Sequence, residues 1–558
     1  MAGPRRLSGP RHPTPMRLHP TLLKSLPWAG AICSGLLLAL CFAPWEYPNL
    51  VWIALLPLVW AVWSLPAEAP RARAFQLGAV TGTVFYTSAF YWLASLAPLF
   101  SSPALTGLPL LLGAYLGLYP ALWAFLISRP PAPGSSAAGT SIKNVAFAVR
   151  AAGAWVALDW IRGWLLSGFS WNSLGVALHN NLALIQIADL FGALGITFVI
   201  VFANITIALV VRRIFNEASV HALPRLRIEL MTLILLLGMC VSYGIRCVFN
   251  PPAVETLPLR AVTLQPNIPQ TQKFDPSQED DVFGTIDRLM SVVETIHPRP
   301  DIVLWPEATL PRGMFADEES RRFVLRQANR TELPLLLGSL EEVPREGHSD
   351  ELVHRNSAVL LTDYATNVQS YQKRHLVPFG EYLPFRDIFP NFVRELIPGD
   401  IDPGAAPKVL ELDKPTIKIG ALVCFEDSLQ RETRDIVRAG AQVLVNITND
   451  AWFAQTAGSA QHFANAHLRS VEARLPMLRS TNTGVSCSID AFGRVESHID
   501  PFSEGIDTLS VKVPIQPQLS VYSRFGDLWI IACAFNGIAL WPRKRKADLA
   551  AAKSGSAV

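Results

Sequence analysis

Three polar residues sit at or near the ends of apolar runs in the second half of the chain. Together they form a set that can do acyl chemistry. Glu307 follows the run in LWPEAT, Lys373 lies in YQKRHLVPFGEY, and Cys424 closes the run in IGALVCFEDS. A thiol attacks only as the thiolate, so it needs a base to take its proton and a cation to favour the anion. Glu, Lys and Cys supply base, cation and nucleophile. A helix beginning just after Cys424 would add the positive end of its dipole and lower the thiol pKa. Taken singly, each residue has a plainer reading. A Cys after a strand is most often core, a Glu after Trp-Pro is often a turn residue, and a Lys is usually solvated. Residue type and spacing alone do not lift the set above those readings.

The elements that must hold these residues are legible. Short β-type runs occupy 258–264, 301–305, 334–340, 416–423 and 442–447. Most are continuously apolar, as expected of strands covered on both faces. Helical stretches alternate with them at 278–296, 317–330, 426–439 and 459–475, and Gly440 stands where a helix C-cap would. Alternating strands and helices predict an α/β layered domain over 257–515.

The rest of the chain is of another kind. Of 558 residues, 50% are hydrophobic and only 17% charged, against about 25% charged in a typical soluble domain. Such a composition excludes a disordered chain and argues against a single soluble globule. A net charge of +3 is too small and too dispersed for nucleic acid. The hydrophobic excess lies in 27–250 and 520–541. Eight runs approach the roughly 20 apolar residues of a membrane span: 27–43, 49–65, 75–97, 104–128, 146–167, 182–211, 227–249 and 520–541. The first two are short, are split by Pro44 to Pro48, and could form one re-entrant hairpin. Trp is concentrated before residue 172, and Trp529 and Trp541 flank the last run, as membrane interfaces favour.

Basic residues set the orientation, because cytoplasmic loops are rich in Lys and Arg. Arg5, Arg6, Arg11, Arg17 and Lys24 precede the first span. Arg71 and Arg73, Arg129 and Lys143, and Arg212, Arg213, Arg225 and Arg227 fall in alternate loops, and Arg543 to Lys546 end the last span. Eight spans with both termini inside fit this pattern, and 257–515 then lies outside the cytoplasm. The organisation expected is a basic N-terminus (1–26), seven spans (27–250), the outer domain (257–515), an eighth span (520–541) and a basic tail (542–558). The N-terminus reads as retained rather than as a cleaved signal, its basic region being long and a second span following at once.

Of seven Cys, five fall in or beside spans, and only Cys424 and Cys487 lie in the outer domain. That makes no disulfide framework. His462 and His467 are five apart, not the four that places two ligands on one helical face, so no metal is expected. Asp159 and Arg162 can share a face of the fifth span. They read as a packed ion pair, ahead of a contact with a lipid headgroup. Trp171, Asn172, Gln186 and Asp189 lie near outer span ends, where headgroup contact and interhelical hydrogen bonding stay equally open.

The motifs around the three polar residues resemble the nitrilase superfamily, whose pattern is Glu, then Lys, then Cys in this order. NITNDAWF and RSVEARLPMLRSTNTGVSCSIDAFGRV are also similar to that family, so the likeness covers 257–515. With seven spans before it and one after, the chain resembles the apolipoprotein N-acyltransferase family of the bacterial inner membrane. The resemblance implies an α-β-β-α sandwich in the periplasm beside a polytopic helical membrane domain. It also implies transfer of an acyl chain from a phospholipid to the α-amino group of an S-diacylglyceryl-cysteine at a lipoprotein N-terminus. On it Cys424 is the nucleophile that forms a thioester, Glu307 the base and Lys373 the oxyanion cation, while Glu381 and Glu426 orient. Phe425 and Phe274 stand where the best-known members carry Tyr and Trp. No cofactor is implied. The partners are the phospholipid donor, the diacylated apolipoprotein and the bilayer, and the protein is expected to be a monomer. The stretch 375–400, with Leu383, Phe385, Ile388, Phe389 and Phe392 amid Pro and Gly, reads as a lid on the membrane surface. The alternative is a membrane-tethered amidase of small amides that sends water to the same thioester. Eight spans exceed what a tether needs. A transporter with a dead outer domain would have lost a member of the set and would line a midplane path with charge.

Overall fold

The computed structural model describes residues 20–217, 227–273, 275–345, 348–388, 391, 394 and 401–541. The basic segments before residue 20 and after 541, Arg225, and the expected site and lid residues Phe274, Phe389 and Phe392 lie outside them.

The first half is helical. Its longest helices are α1 (Pro20–Leu40), α2 (Arg71–Ala89), α3 (Ala137–Arg162), α4 (Ala193–Glu217) and α5 (Arg227–Phe249). Among the described residues, three helical stretches are long and apolar enough to cross a bilayer: Pro103–Ile127, Ala193–Phe215 and Ile228–Phe249. The run expected as one span over 182–211 is broken at Gly192. Two single-turn helices, Leu182–Ile185 and Ala188–Phe191, precede α4. The break has a cause in packing, because Gln186 and Asp189 on those turns are bonded to Arg474 of the second half. The run at 520–541 holds a short helix, Val521–Phe525, and then α10 (Leu528–Ile538). At about 1.5 Å per residue α10 by itself is shorter than a hydrocarbon core. It crosses α3 closely. A Cβ on Gly537 would lie 3.0 Å from the Ala154 Cα, and one on Gly153 would lie 3.0 Å from the Cys533 carbonyl. Small residues are what let two backbones approach in an apolar medium.

Asp159 and Arg162 pair within α3, with Arg162 Nε 2.7 Å from Asp159 Oδ1. The guanidinium also donates to the carbonyls of Phe169 (2.7 Å) and Trp171 (2.9 Å). This buried pair is structural, and it fixes the loop that carries Phe169 and Trp171.

The second half is a two-sheet sandwich. The first sheet runs in the order β12-β1-β2-β3-β4-β5. Its strands are β1 (Thr256–Gln265), β2 (Ile302–Leu304), β3 (Leu335–Arg345), β4 (His348–Thr362), β5 (Asn367–Gln372) and β12 (Gly505–Pro514). The second runs β11-β10-β9-β8-β7-β6, from β6 (Leu410–Asp413), β7 (Thr416–Val423), β8 (Val443–Thr448), β9 (Met477–Thr481), β10 (Cys487–Ile489) and β11 (Val495–His498). Each sheet has a parallel centre, β1-β2-β3 and β7-β8-β9, with antiparallel strands outside it.

The pleat explains the continuous apolar runs. In β2, Ile302 and Leu304 join the core between the sheets, while Val303 and then Trp305 face the other way. There they meet Met290 of α6 (Glu279–Val293) and Phe323 of α7 (Glu318–Thr331). The second sheet is backed by α8 (Gln430–Arg438) and α9 (Ala457–Ala473). Helix α9 is buried almost throughout, because Ala473 packs with the sheet core while Ala464, Leu468 and Val471 pack with the membrane helices.

Candidate active site

Glu307, Lys373 and Cys424 each lie just beyond a strand: β2, β5 and β7 respectively. Two antiparallel pairings return β5 parallel to β2, so Glu307 and Lys373 emerge on one sheet edge. Lys373 Nζ lies 3.9 Å from Glu307 Oε1 and 2.8 Å from Glu381 Oε2. Glu381 reaches the lysine because its own loop folds back on it, the Val377 N–H donating to Glu381 Oε2 at 2.8 Å. Gly338 on β3 makes room for the Glu307 turn, for a Cβ there would meet the Glu307 Cα at 2.5 Å.

Cys424 is in the left-handed region, with φ +54°. A non-glycine residue held there stores about 1–3 kcal/mol. Such sharp strand-to-helix turns lift a nucleophile clear of its sheet. Two neighbours hold the turn. Asn446 on β8 donates to the Cys424 carbonyl at 3.1 Å. Glu426 Oε2 accepts from the Val423 N–H at 2.8 Å, and its Oε1 accepts from the Arg374 N–H (2.7 Å) and the His375 N–H (3.2 Å). Glu426 therefore ties the cysteine turn to the segment after Lys373. Tyr371 donates to the same carboxylate at 3.0 Å. Burial pushes Glu426 up to about 7, against those backbone donors.

The expectation of a helix dipole lowering the thiol pKa is corrected. Cys424 opens a single 3-10 turn, Cys424–Ser428, and α8 starts only at Gln430. Burial pushes the Cys424 thiol well above its ordinary value, and the Glu307 charge adds to the push. Lys373 and a hydrogen bond with Thr448 oppose it. The resting group is a thiol facing a carboxylate. Glu307 Oε1 accepts from Asn356 Nδ2 at 2.7 Å, while Oε2 has no hydrogen-bond partner among the described residues. That oxygen is open to take a proton. Asn356 Nδ2 also reaches Glu381 Oε1 at 3.0 Å. Burial opposes the charge of Lys373, yet Glu381, Cys424 and Glu307 together hold its ammonium well above the usual lysine value.

Phe425 is buried in an aromatic stack. Its ring centroid is 6.3 Å from Phe169, 6.1 Å from Trp171 and 6.0 Å from His375. Burial and Lys373 push His375 down to about 4, so its ring is neutral. Of the expected lid, Leu383 is buried, whereas Phe385 and Ile388 are exposed.

Lys273, Asp427, Asp450 and Gln461 escaped the sequence reading, which weighed His462 only as a metal ligand. Lys273, one position from Phe274, is buried and donates to the Glu307 carbonyl at 3.0 Å. His462 is bonded at 2.7 Å to both Asp450 and Asp427, and Asp427 pairs with Arg479. Burial opposes protonation of His462, but the two aspartates outweigh it and raise it to about 9. Trp171 stacks on this imidazole at 5.4 Å. Gln461 accepts from Trp92 and Asn172 at 3.1 Å each, and donates to the carbonyls of Ala43 (2.8 Å) and Ala89 (2.9 Å). Asn172, Gln186 and Asp189 thus bond to the outer domain. The one available signal was a helix of small apolar residues interrupted by Gln461, His462 and Asn465.

A cysteine on a strained turn after a strand, faced by a carboxylate and a lysine in a two-sheet sandwich, defines a nitrilase-type enzyme domain, and here it is docked on a helical membrane domain. Residues 267–516 match the family model for carbon-nitrogen hydrolase, and residues 34–206 match that for the apolipoprotein N-acyltransferase N-terminal domain. An apolipoprotein N-acyltransferase of Geobacter metallireducens is 34% identical over 90% of this chain and 92% of its own length. That of Rickettsia prowazekii is 28% identical over 88% and 93%, and that of Haemophilus influenzae 27% over 90% and 92%. The chain belongs to the apolipoprotein N-acyltransferase family, acyltransferases of lipoprotein maturation within the nitrilase superfamily.

Proposed function

We propose that this enzyme moves a fatty acyl chain from a membrane phospholipid to the α-amino group of an N-terminal S-diacylglyceryl-cysteine, through a thioester on Cys424. The observation that carries the reading is the thiol on its strained turn, acted on by Glu307, whose Oε2 is open, and by Lys373. In the first half-reaction the Cys424 S–H proton passes to Glu307 as sulfur attacks the ester carbonyl. Lys373 stabilises the oxyanion. The tetrahedral intermediate collapses to the thioester, and the proton on Glu307 leaves with the lysophospholipid alcohol. In the second half, Glu307 takes a proton from the attacking amine, and Cys424 departs and is reprotonated. Glu381 and Glu426 orient the lysine and the cysteine turn. Phe425 packs the site against the membrane helices.

Both substrates are lipids, so the site must open to the bilayer. We place the second half in the periplasm, with eight spans, both termini in the cytoplasm, and 375–400 as a lid at the membrane surface. The enzyme acts as a monomer. Reporter fusions after residues 515 and 558 test the topology. Opposite reporter signals support it, and like signals reject it.

The chemistry is tested by incubating the detergent-solubilised full chain with phospholipid alone and weighing the Cys424 peptide. The expected result is a fatty-acyl mass, absent in C424A, removed by neutral hydroxylamine and discharged by a diacylated lipopeptide. Folded protein whose Cys424 stays unmodified overturns the acyl-transfer reading.

A further inference from the structure

Two lysines, not one, are buried at this site, and their surroundings differ. Lys373 is matched to Glu381 at 2.8 Å and to Glu307 at 3.9 Å. Lys273 is equally buried, at 1% exposure. Its ammonium donates to the Glu307 backbone carbonyl at 3.0 Å. Among the described residues no carboxylate oxygen lies within ion-pair distance of it. The charges that act on it are those of Glu307 and Cys424. An ammonium has three donors, and here a single carbonyl takes one. A buried lysine without a carboxylate partner is costly to keep charged, and burial pushes Lys273 down to about 8 despite those two acids.

The charge balance shows what such a group does. Glu307 and Glu381 contribute two negative charges. Lys373 alone leaves the site one negative before the thiol ionises. With Lys273 charged, the four groups sum to zero. Transfer of the Cys424 proton to Glu307 breaks S–H and forms O–H; the four groups then sum to plus one against the thiolate's minus one, and the site stays neutral overall. Without Lys273 the same step takes place in a site that is already one charge negative.

We propose that Lys273 is the second cation of the acyl-transfer site: it pins the Glu307 turn through its carbonyl and supplies the unmatched positive charge that stabilises the anion on Cys424. It is a positioning residue, acting through Glu307 and through its field. The proposal rests on Cys424 as the nucleophile and Glu307 as its base.

The test uses the full chain in detergent with K273Q, K273M and the parent, each checked for folding by size exclusion and thermal unfolding. K273Q keeps a donor for the Glu307 carbonyl and removes the charge, whereas K273M removes both. The first readout is the rate of Cys424 alkylation by iodoacetamide against pH. It reports the thiol within its full surroundings, in which Glu307 and Asp450 oppose the thiolate and Lys373 favours it. The expected result is a midpoint raised by about one pH unit or more in both variants, a tenfold loss of thiolate at a given pH. The second readout is the rate of Cys424 acylation from phospholipid, expected to fall at least about tenfold in K273Q. A folded K273Q with the parent's midpoint and an acylation rate within about twofold of the parent's overturns the charge role. If K273Q does not fold, K273M decides on the same criteria. If neither variant folds, the parent's own pH profile decides: an acylation rate that does not fall as the pH passes through about 8, where Lys273 loses its charge, overturns the charge role. A parent that is alkylated but never acylated refutes the acyl-transfer reading and leaves the alkylation test of Lys273 standing.

Discussion

Asn356 offers the sharpest test of how the base is kept ready. Its Nδ2 stands 2.7 Å from Glu307 Oε1 and 3.0 Å from Glu381 Oε1. Asn356→Asp preserves shape and replaces this shared donor with an oxygen that bears charge. Two carboxylate charges about 4 Å apart repel by about 4 kcal/mol at an effective dielectric near 20. At about 1.4 kcal/mol per pH unit, that is a shift of about three units. Lys373, at 3.9 Å from Glu307, stands there in parent and variant alike and cancels from this difference. The sign is fixed by the mechanism, since Glu307 must be ionised to accept the thiol proton. A proton trapped among three carboxylates disables it until the pH is raised. Single-turnover acylation of Cys424, followed by intact mass at several pH values, is the assay. On the acidic limb, where the rate follows the ionised fraction, N356D should be slower by up to about a thousandfold, with that limb displaced upward by about three units and most of the rate recovered above it. Asn356→Ala removes the donor without adding charge, and should lose rate without that displacement. A folded N356D whose acidic limb coincides with the parent's would refute Glu307 as the titrating base.

Three further expectations follow from the same contacts. His462 is raised to about 9 by its two aspartates, so its stabilising charge is fully present below its unfolded value of about 6.5 and is lost as pH rises through 9, on the order of 3 kcal/mol in all. Thermal unfolding should show parent stability declining from about pH 7 to 9.5, and H462Q should lack that component; parallel curves would reject it. Gln461→Leu leaves Trp92 Nε1, Asn172 Nδ2 and two carbonyls without their partner, and should cost about 2–4 kcal/mol, read as a lower thermal midpoint with earlier exposure of the Trp residues. Phe425→Ala should cost about 3 kcal/mol by opening the aromatic stack, with Cys424 alkylation retained; a variant as stable as the parent would show that the stack does not seal the junction.

The strands were legible because burial on both faces writes itself as an unbroken apolar run. The runs at 416–423 and 301–305 correspond to β7 and β2. The outer strands β4 and β5 were not, because HSDELVHRNSAVLLT mixes charged residues, and NVQSYQ uncharged polar ones, with the apolar, as strands with one partly open face do. Spans were harder. Apolar content does not distinguish a helix that crosses lipid from turns that pack beneath a second domain, and the run at 182–211 holds both.

By itself the sequence determined the class of chemistry and the order of its parts. Glu307, Lys373 and Cys424 follow strands in turn, and the motifs around them carry the family likeness. That information is local, since each residue is read with the few positions beside it. Which way the thiol pKa moves was decided only in three dimensions, because burial and the Glu307 charge outweigh a dipole that α8 begins too late to supply. So were the Lys273 contact, the Asn356 bridge and the docking of Gln461 on the membrane helices. Each joins groups far apart in the chain, and a buried charge or amide acquires its meaning from neighbours that only the fold brings within about 3 Å.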